Sequence, residues 1–463
     1  MKFQPKCSKS SLIEIETIVA ISTPRGEGGI GVVRLSGPNA IAIGQRLFHS
    51  KSTLGQRIRH VEFGQIWVGG RAIDTGLAWV FSAPHSYTGE DLVEISCHGN
   101  MVVLESVVEE SIRHGASTAS PGEFTRRAFL NGRMDLLQAE AVVDLIQASS
   151  SASLDTAYGL ASGRLSTMVK RLKGQVVKAL SLLEIGLDFS EEDIDEIGRQ
   201  EIQTLMRDVV ASSCRLADTF EGTKRRIDGY LVALVGRPNV GKSTLLNVLL
   251  GEDRAIVSPI PGTTRDLVEG RTVWGGETLR LVDTAGIRSS EDPVEKEGID
   301  RAARVVNEAD LVFGIFDSSA EWCGDDLAVL ELLPVQKSIA VFNKVDLPAV
   351  LDRTKVERRA ESSVEISALT EVGVENLKKE ATGYWPRSRG VEGVEVTRQR
   401  HQECLYRVSE SGAKANRLLL DKEPDECVVV ELQEALNALG EMLGERTDED
   451  VLDAVFSEFC IGK

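Results

Sequence analysis

A glycine-rich segment of eight residues follows a strand-like apolar run over 231–235 and precedes an apolar helix that begins near Thr244. The segment consists of Gly236, Arg237, Pro238, Asn239, Val240, Gly241, Lys242 and Ser243. These flanks are typical of a phosphate-binding loop, whose glycines let backbone N–H groups close around phosphate oxygens. In such a loop Lys242 reaches the β and γ phosphates, and the Ser243 hydroxyl binds Mg²⁺. The alternative is a plain glycine-rich turn between a strand and a helix.

Three further motifs follow in chain order, each directly after a predicted strand. They are Asp283-Thr284-Ala285-Gly286, Asn343-Lys344-Val345-Asp346 and Ser367-Ala368-Leu369. Ligands of open α/β sheets bind at the carboxyl ends of the strands, so we expect these motifs to meet the phosphate-binding loop there. Four motifs in this order are much more specific than any one of them alone.

The chemistry of these motifs selects a guanine nucleotide. Asp283 can hold Mg²⁺ through a water molecule, and the Gly286 N–H can contact the γ-phosphate. The Asp346 carboxylate can accept hydrogen bonds from N1 and N2 of guanine, which adenine does not offer as donors. Backbone groups of 367–369 fit the guanine O6. We therefore predict that GTP is the ligand.

A second loop, Ser258 to Asp266, lies between the first two motifs. Its Thr264 can complete the Mg²⁺ shell when the γ-phosphate is present, and loss of that phosphate would release the loop. A proline- and glycine-rich surface loop with incidental threonines is the alternative. The predicted GTP site comprises Asn239, Val240, Gly241, Lys242, Ser243, Thr244, Ser258, Pro259, Ile260, Pro261, Gly262, Thr263, Thr264, Asp283, Thr284, Ala285, Gly286, Asn343, Lys344, Asp346, Ser367, Ala368 and Leu369.

The composition is that of a globular protein with roughly three domains. Of its 463 residues 42% are hydrophobic and 27% charged. No run approaches the roughly 18 apolar residues that would span a membrane. The net charge of −18 disfavours a broad nucleic-acid-binding face. The seven cysteines form no CxxC pair, so we expect a reducing, cytoplasmic location.

The apolar pattern divides the chain into four ranges. Short β-branched runs separated by glycine and proline predict an α+β domain over 1–130. Apolar residues at helical spacing predict helical segments over 131–229 and 386–463. Between them, alternating strands and helices over 230–385 predict an α/β domain of the Ras-like P-loop type. The simplest architecture is one helical domain, discontinuous in sequence, with the α/β domain inserted into it.

One catalytic group of Ras-like GTPases is missing, because Ile287 stands where their glutamine orients the attacking water. The surrounding segments resemble the MnmE (TrmE) family of tRNA-modification GTPases, which belongs to the TrmE-Era-like P-loop GTPases. The resemblance includes Gly28 to Gly37, Pro121 to Phe124, GRPNVGKST, PGTTRD, DTAGIR, NKVD and the C-terminal FCIGK. It therefore covers almost the whole chain.

The resemblance implies that K⁺ beside the phosphates supplies the positive charge that an arginine finger gives elsewhere. The side-chain ligand of this ion falls on Asn239, and the carbonyl ligands fall on Ser258, Ile260 and Thr263. The acid that positions the attacking water falls on Glu295. Judged from the residues alone, Asn239 could instead serve the turn itself, and Glu295 could not be chosen over Glu291.

The resemblance also implies that the N-terminal domain has a tetrahydrofolate-binding-like fold, forms a homodimer and binds a 5-formyl or 5,10-methylene folate. The folate contacts fall on Arg34, Glu94, Arg133 and Lys463. Arg133 stands where the family pattern favours lysine, which keeps the charge but changes the hydrogen-bond geometry. By themselves, Arg34 and Glu94 would be an ordinary surface pair. Cys460 falls on a catalytic position, although a lone cysteine is more often a small buried hydrophobe.

The implied function is GTP hydrolysis coupled to tRNA modification in a hetero-oligomer with the flavoprotein MnmG. The product carries an aminomethyl or carboxymethylaminomethyl group at C5 of the wobble uridine, position 34. The alternative is a regulatory GTPase that switches a ribosomal or other partner without base chemistry. Such a switch needs neither a folate site nor a C-terminal Cys-Ile-Gly-Lys, so the two ends of the chain favour the first hypothesis.

Overall fold

The structure, a computed structural model, describes residues 16–56, 60–188, 196–251, 268–284, 303–357, 359–385 and 394–463. The chain divides into two compact units. The first comprises Met1–Val143, Leu160–Val210 and Arg407–Lys463, and the second comprises Asp144–Gly159 and Ala211–Tyr406. The four domain ranges expected from the sequence stay predictions.

The N-terminal part of the first unit is an α+β fold around a seven-stranded sheet. Its strands are Ile18–Ile21 (β1), Gly28–Ser36 (β2), Phe48–Ser50 (β3), Glu62–Val68 (β4), Arg71–Phe81 (β5), Leu92–Gly99 (β6) and Ser117–Thr118 (β7). The strand order is β3-β4-β5-β6-β2-β1-β7. Neighbouring strands are antiparallel except for β1 and β7. Its helices are Ala40–Leu47 (α1), Met101–Arg113 (α2) and Glu123–Leu130 (α3).

Helices α1 and α2 pack on one face of this sheet. Successive side chains of a strand point to opposite faces, so only alternate residues join this core. In β5, Ala78 and Val80 are buried, whereas Leu77 is 41% exposed. The core between the sheet and the two helices includes Val33, Leu35, Ile43, Leu47, Ile66, Val93, Ile95, Leu104 and Val107.

Among the described residues, five helices follow before the second sheet begins. They are Leu136–Gln147 (α4), Ser151–Ala161 (α5), Arg164–Asp188 (α6), Glu196–Ala217 (α7) and Phe220–Asp228 (α8). In α6, Leu165, Val169, Leu172, Val176 and Leu183 are buried, and their spacing forms one apolar stripe. The helical segment predicted between the two sheets is therefore present.

The second unit contains a six-stranded sheet of order β13-β12-β11-β8-β10-β9. Its strands are Tyr230–Val235 (β8), Val268–Trp274 (β9), Glu277–Asp283 (β10), Leu311–Asp317 (β11), Ser338–Asn343 (β12) and Ser362–Glu365 (β13). The β9/β10 pair is antiparallel and the other pairs are parallel. Its helices are Lys242–Leu250 (α9), 303–308 as far as described (α10), Gly324–Leu332 (α11), Thr354–Glu357 (α12) and Val374–Ala381 (α13).

The central strands of this sheet are buried on both faces. Val232 and Leu234 of β8 lie in one core, while Ala233 and Val235 lie in another. Every residue of β11 is buried. This explains why these strands are continuous apolar runs rather than alternating ones. The predicted α/β domain with a mostly parallel sheet is confirmed.

The chain ends in three helices, Gln399–Leu420 (α14), Asp425–Leu443 (α15) and Glu449–Ser457 (α16). In the first unit α15 packs against α6, which brings two sequence-distant helical segments together and confirms the discontinuous helical domain. The rings of Phe129 and Phe456 lie 6.4 Å apart, so α16 also reaches α3. Within the described ranges, no helix combines the length and apolarity needed to cross a membrane.

Candidate functional site

The glycine-rich segment joins the carboxyl end of β8 to α9, as the sequence predicts. Lys242 is buried, and its Nζ donates to the carbonyl oxygens of Gly236 at 2.8 Å and Arg237 at 3.0 Å. Burial lowers the pKa of Lys242, and the nearby Asp283 carboxylate opposes that shift. The ammonium group therefore lies inside the loop that would surround a phosphate.

Two residues of this loop have positive φ angles, 62° at Asn239 and 97° at Gly241. Asparagine tolerates the left-handed conformation better than most residues. A Cβ at Gly241 would lie 2.3 Å from Nδ2 of Asn343, which is too close for any side chain. Position 241 therefore requires glycine both for its backbone angle and for the approach of Asn343.

Ser243 and Asp283 meet where α9 begins and β10 ends. Ser243 Oγ donates to Asp283 Oδ2 at 2.9 Å. The other carboxylate oxygen, Oδ1, is buried and has no hydrogen-bond partner among the described residues. Thr284 is held against β8, because its Oγ1 donates to the Leu234 carbonyl at 2.8 Å. A hydroxyl and an unsatisfied carboxylate oxygen in this position suit a hydrated Mg²⁺.

Asn343 connects three predicted motifs. Its Nδ2 donates to the Val240 carbonyl at 2.7 Å, and its Oδ1 accepts from the Ala368 backbone N–H at 2.9 Å. Ser367 and Ala368 are buried, whereas Asp346 and Leu369 are exposed. One amide group thus aligns the phosphate-binding loop with the two segments predicted to recognise guanine.

Asp317, at the end of β11, also lies at this edge of the sheet, although it belongs to none of the predicted motifs. Its Oδ2 accepts from Lys344 Nζ at 2.6 Å, and the same Nζ donates to the Asn239 carbonyl at 2.9 Å. Arg237 lies beside them and pairs with Asp326 at 3.0 Å. A carboxylate directly after an apolar strand was the available signal, because parallel strands end at one edge.

Several predicted residues lie outside the described residues. They are Ser258, Pro259, Ile260, Pro261, Gly262, Thr263, Thr264, Ala285, Gly286, Ile287, Glu291 and Glu295. The remaining predicted residue, Thr244, is exposed in the first turn of α9.

A second polar cluster lies on the sheet of the first unit, on the face opposite α1 and α2. Arg34 and Glu94 are cross-strand neighbours in β2 and β6, and Nε donates to Oε1 at 2.7 Å. Trp79 Nε1 donates to the other oxygen of Glu94 at 2.7 Å. The guanidinium of Arg34 also lies 5.5 Å from the Tyr87 ring centre and 5.6 Å from that of Phe124. The pair is therefore enclosed by aromatic groups.

The C-terminus reaches this cluster. The Gly462 carbonyl accepts from Ser22 Oγ at 3.2 Å and from an Arg34 nitrogen at 3.4 Å, and the Lys463 carbonyl accepts from the Phe124 N–H at 3.1 Å. Burial and the Arg34 charge lower the pKa of Lys463, while Glu94 opposes the shift. Three of the four predicted folate residues therefore lie together.

The two other residues predicted in the first unit are more peripheral. Arg133 is exposed, and its side chain lies close to Gly89. A Cβ built on that glycine would be 3.4 Å from Arg133 Cγ. Cys460 is exposed and follows the last helical turn. It lies close enough to Lys463 to oppose slightly the lowering of the pKa of that side chain. Cys460 therefore lies at the margin of the cluster rather than in the core.

Comparisons with known proteins agree along the chain. The family model of the MnmE helical domain matches residues 136–460, and that of the GTP-binding protein TrmE N-terminus matches residues 17–133. The tRNA modification GTPase MnmE of Geobacter sulfurreducens is 40% identical over 453 residues, which are 97% of this chain and 99% of that protein. The tRNA modification GTPase MnmE of Syntrophotalea carbinolica is 40% identical over 464 residues, which are 98% of this chain and 100% of that protein.

Among solved structures, the G domain of the T. maritima FeoB iron transporter is 31% identical. The match covers 34% of this chain and 98% of that one, with a TM-score of 0.27. The family models and the curated relatives, in contrast, cover nearly the whole chain. Identity of this extent shows that the chain belongs to the MnmE (TrmE) family of tRNA-modification GTPases.

Proposed function

We propose that this GTPase, together with MnmG and as a homodimer, installs an aminomethyl or carboxymethylaminomethyl group at C5 of uridine 34 in tRNA. Family membership supports the coarser statement that GTP hydrolysis is linked to tRNA modification. The observation that carries the GTP site is the Asn343 side chain, which joins Val240 to Ala368. Recognition of guanine and binding of the phosphates then depend on the same edge of the sheet.

Mg²⁺ would be held by Ser243 and Thr264, and by Asp283 through water. The fit rests on Asp283, whose Oδ1 is buried without a hydrogen-bond partner among the described residues. The ion would supply charge neutralisation at the β and γ phosphates. Lys242 adds a positive charge that is already buried in the loop.

K⁺ would lie beside the phosphates, with Asn239 as its side-chain ligand and carbonyls of Ser258, Ile260 and Thr263 as the others. Asn239 supports this proposal because its side chain is exposed, while its backbone is held by Lys344. A fixed cation there would stabilise charge that develops in the transition state, as an arginine finger does. This accounts for a GTPase that lacks the usual glutamine.

The K⁺ proposal is tested by initial GTPase rates at saturating GTP in equimolar KCl and NaCl. The wild-type protein should be much faster in KCl, and Asn239→Ala should lose this difference while still binding nucleotide. Equal wild-type rates in the two salts would refute the assignment of Asn239.

Glu295 would orient the attacking water. The variant Glu295→Ala should bind GTP normally but lose turnover, because general-base and positioning groups contribute about 10²–10⁴ in rate. Glu291→Ala is the matched control in the same acidic segment and should retain turnover. Normal turnover of Glu295→Ala would remove Glu295 from the catalytic residues.

The folate would bind at Arg34, Glu94, Arg133 and Lys463, as its 5-formyl or 5,10-methylene form, and Cys460 would act nearby. The fit rests on the donor set. A carboxylate accepts hydrogen bonds from a pterin ring, and cationic side chains pair with the glutamate carboxylates of the folate. Arg133 is exposed, so it would offer the folate tail a charged partner.

The homodimer would form through the open face of the N-terminal sheet. Phe63 and Leu77 are cross-strand neighbours on the face that α1 and α2 leave open, and they are 71% and 41% exposed. Val61 adds another exposed apolar side chain just before β4. An apolar surface of this kind is typical of a contact between subunits.

Mass analysis of wobble uridines decides between the modification enzyme and the regulatory switch. A strain that lacks the gene should lose the C5 modification, and the wild-type gene should restore it. Unaltered modification in the deletion strain would support the alternative, a GTPase that switches a ribosomal or other partner without base chemistry.

A further inference from the structure

Two residues with unusual backbone angles lie against each other at the GTP site. The φ angle is 62° at Asn239 and 65° at Lys344, although neither residue is glycine. A lysine in the left-handed region is strained, and such a conformation persists only where its surroundings hold it in place. At this position the surroundings include the Asn239 carbonyl, which accepts from Lys344 Nζ at 2.9 Å.

Asp317 holds the lysine from the other side. Its Oδ2 accepts from Lys344 Nζ at 2.6 Å, which is a charge-assisted hydrogen bond. The Asp317 carboxylate is itself fixed, because Oδ1 accepts from the Ser319 N–H at 3.0 Å and from Ser319 Oγ at 2.6 Å. Burial alone would raise the pKa of Asp317, but the bonds from Lys344 and Ser319 keep it below its ordinary value. The Asp317 carboxylate is therefore ionised and held in place by three hydrogen bonds.

We propose that Asp317 is a positioning residue that holds the guanine-recognition segment, 343–346, against the phosphate-binding loop at Asn239. The chain of contacts runs from the end of β11 through Lys344 to the backbone of Asn239. It is distinct from the bridge made by Asn343, which reaches Val240. This inference rests on the proposed GTP and K⁺ sites, because Asn239 is the proposed K⁺ ligand.

Removal of the Asp317 charge should therefore affect both the nucleotide affinity and the K⁺ requirement. In Asp317→Asn the lysine keeps a neutral hydrogen-bond acceptor but loses the ionised one. The dissociation constant of a fluorescent N-methylanthraniloyl GDP should rise about tenfold, as expected for loss of one charge-assisted bond. The K⁺ concentration for half-maximal GTPase rate should rise as well, since the turn at Asn239 is less firmly held.

The matched control is Asp310→Asn, at the residue directly before the first residue of the same strand. Asp310 pairs with Arg225 at 3.1 Å and accepts from the Leu231 N–H at 2.9 Å. Its loss should lower the thermal unfolding midpoint but leave the GDP analogue's dissociation constant within about twofold of wild type. Asp317→Glu retains the charge on a longer side chain and should recover part of the affinity.

The outcomes separate this inference from the proposed K⁺ site. If the wild-type rate does not depend on K⁺, the K⁺ site fails, and the nucleotide affinities of Asp317→Asn and Asp310→Asn still decide the role of Asp317. An Asp317→Asn protein that binds the GDP analogue as tightly as wild type would overturn the inference. An equal loss of affinity in Asp310→Asn would also overturn it, because the effect would then be one of general stability.

Discussion

Ser243 Oγ donates a 2.9 Å hydrogen bond to Asp283 Oδ2, which joins the first turn of α9 to the end of β10. The two residues are 40 positions apart in the chain and adjacent in the sheet-edge site. This contact brings a hydroxyl and a carboxylate to the point where a hydrated cation would meet a triphosphate.

Replacement of the hydroxyl should weaken Mg²⁺ binding. In Ser243→Ala the cation would lose one of its two proposed direct ligands, so the Mg²⁺ concentration for half-maximal GTPase rate should rise by about tenfold or more. A magnesium titration at saturating GTP measures this. Ser243→Thr, which keeps a hydroxyl, is the control and should stay close to wild type. An unchanged magnesium requirement in the alanine variant would contradict the prediction.

The charge of Glu94 should be required for folate binding but not for GTP hydrolysis. In Glu94→Gln the dissociation constant of 5-formyltetrahydrofolate, measured by calorimetry, should rise about tenfold, because a charged acceptor becomes neutral. Asp74→Asn is the control in the same sheet, where Asp74 pairs with His98 at 2.7 Å. Equal folate affinity in wild type and Glu94→Gln would exclude Glu94 from the site.

The position of the C-terminal residues against β1 and α3 should depend on Gly462. Its φ is +97°, and a Cβ there would lie 2.2 Å from the Ile21 carbonyl oxygen. In Gly462→Ala the bound position of the tail should be destabilised by about 1–3 kcal/mol, so that the tail detaches more often. Hydrogen exchange at the Phe124 amide, which donates to the Lys463 carbonyl at 3.1 Å, should accelerate. Ile461→Ala, at a half-exposed side chain, should leave that exchange unchanged, and protection of Phe124 in both variants would disprove this role of Gly462.

A charge on the open sheet face should dissociate the proposed dimer. Phe63→Glu places a carboxylate in the exposed apolar surface, so sedimentation equilibrium should shift from dimer toward monomer. Val102→Glu is the control, since Val102 is 73% exposed on α2 of the same domain but not on the open face. A Phe63→Glu protein that remains as dimeric as wild type would place the subunit contact elsewhere.

Glu277 should make stability depend on pH. Burial raises its pKa, Arg226 opposes the shift and Glu395 reinforces it. The folded state then binds the proton more tightly than the unfolded chain, so this contribution to stability is present at low pH and is lost as pH rises. In Glu277→Gln that loss disappears. The unfolding temperature of the variant minus that of wild type should therefore increase from about pH 5 to about pH 8. A difference that stays constant across this interval would contradict the prediction.

Local patterns predicted much of the fold. The apolar run before Gly236 and the helix after the glycine-rich segment could be placed on β8 and α9, because a short loop between a strand and a helix, here 236–241, is a local feature. The alternation of strands and helices after Tyr230 similarly indicated a parallel sheet. The order of the strands in the N-terminal sheet could not be predicted from such patterns, since strand order depends on contacts between distant segments.

The sequence by itself determined which chemical groups this protein has and the order in which they follow its strands. Only the tertiary structure decided that Asp317 meets Lys344, that Trp79 shares Glu94 with Arg34, and that Gly462 lies beside β1 and β2. The physical reason is distance along the chain. A motif of a few residues is fixed by its own backbone, whereas Arg34 and Gly462 are separated by 428 positions and meet only because packing of whole elements brings them together.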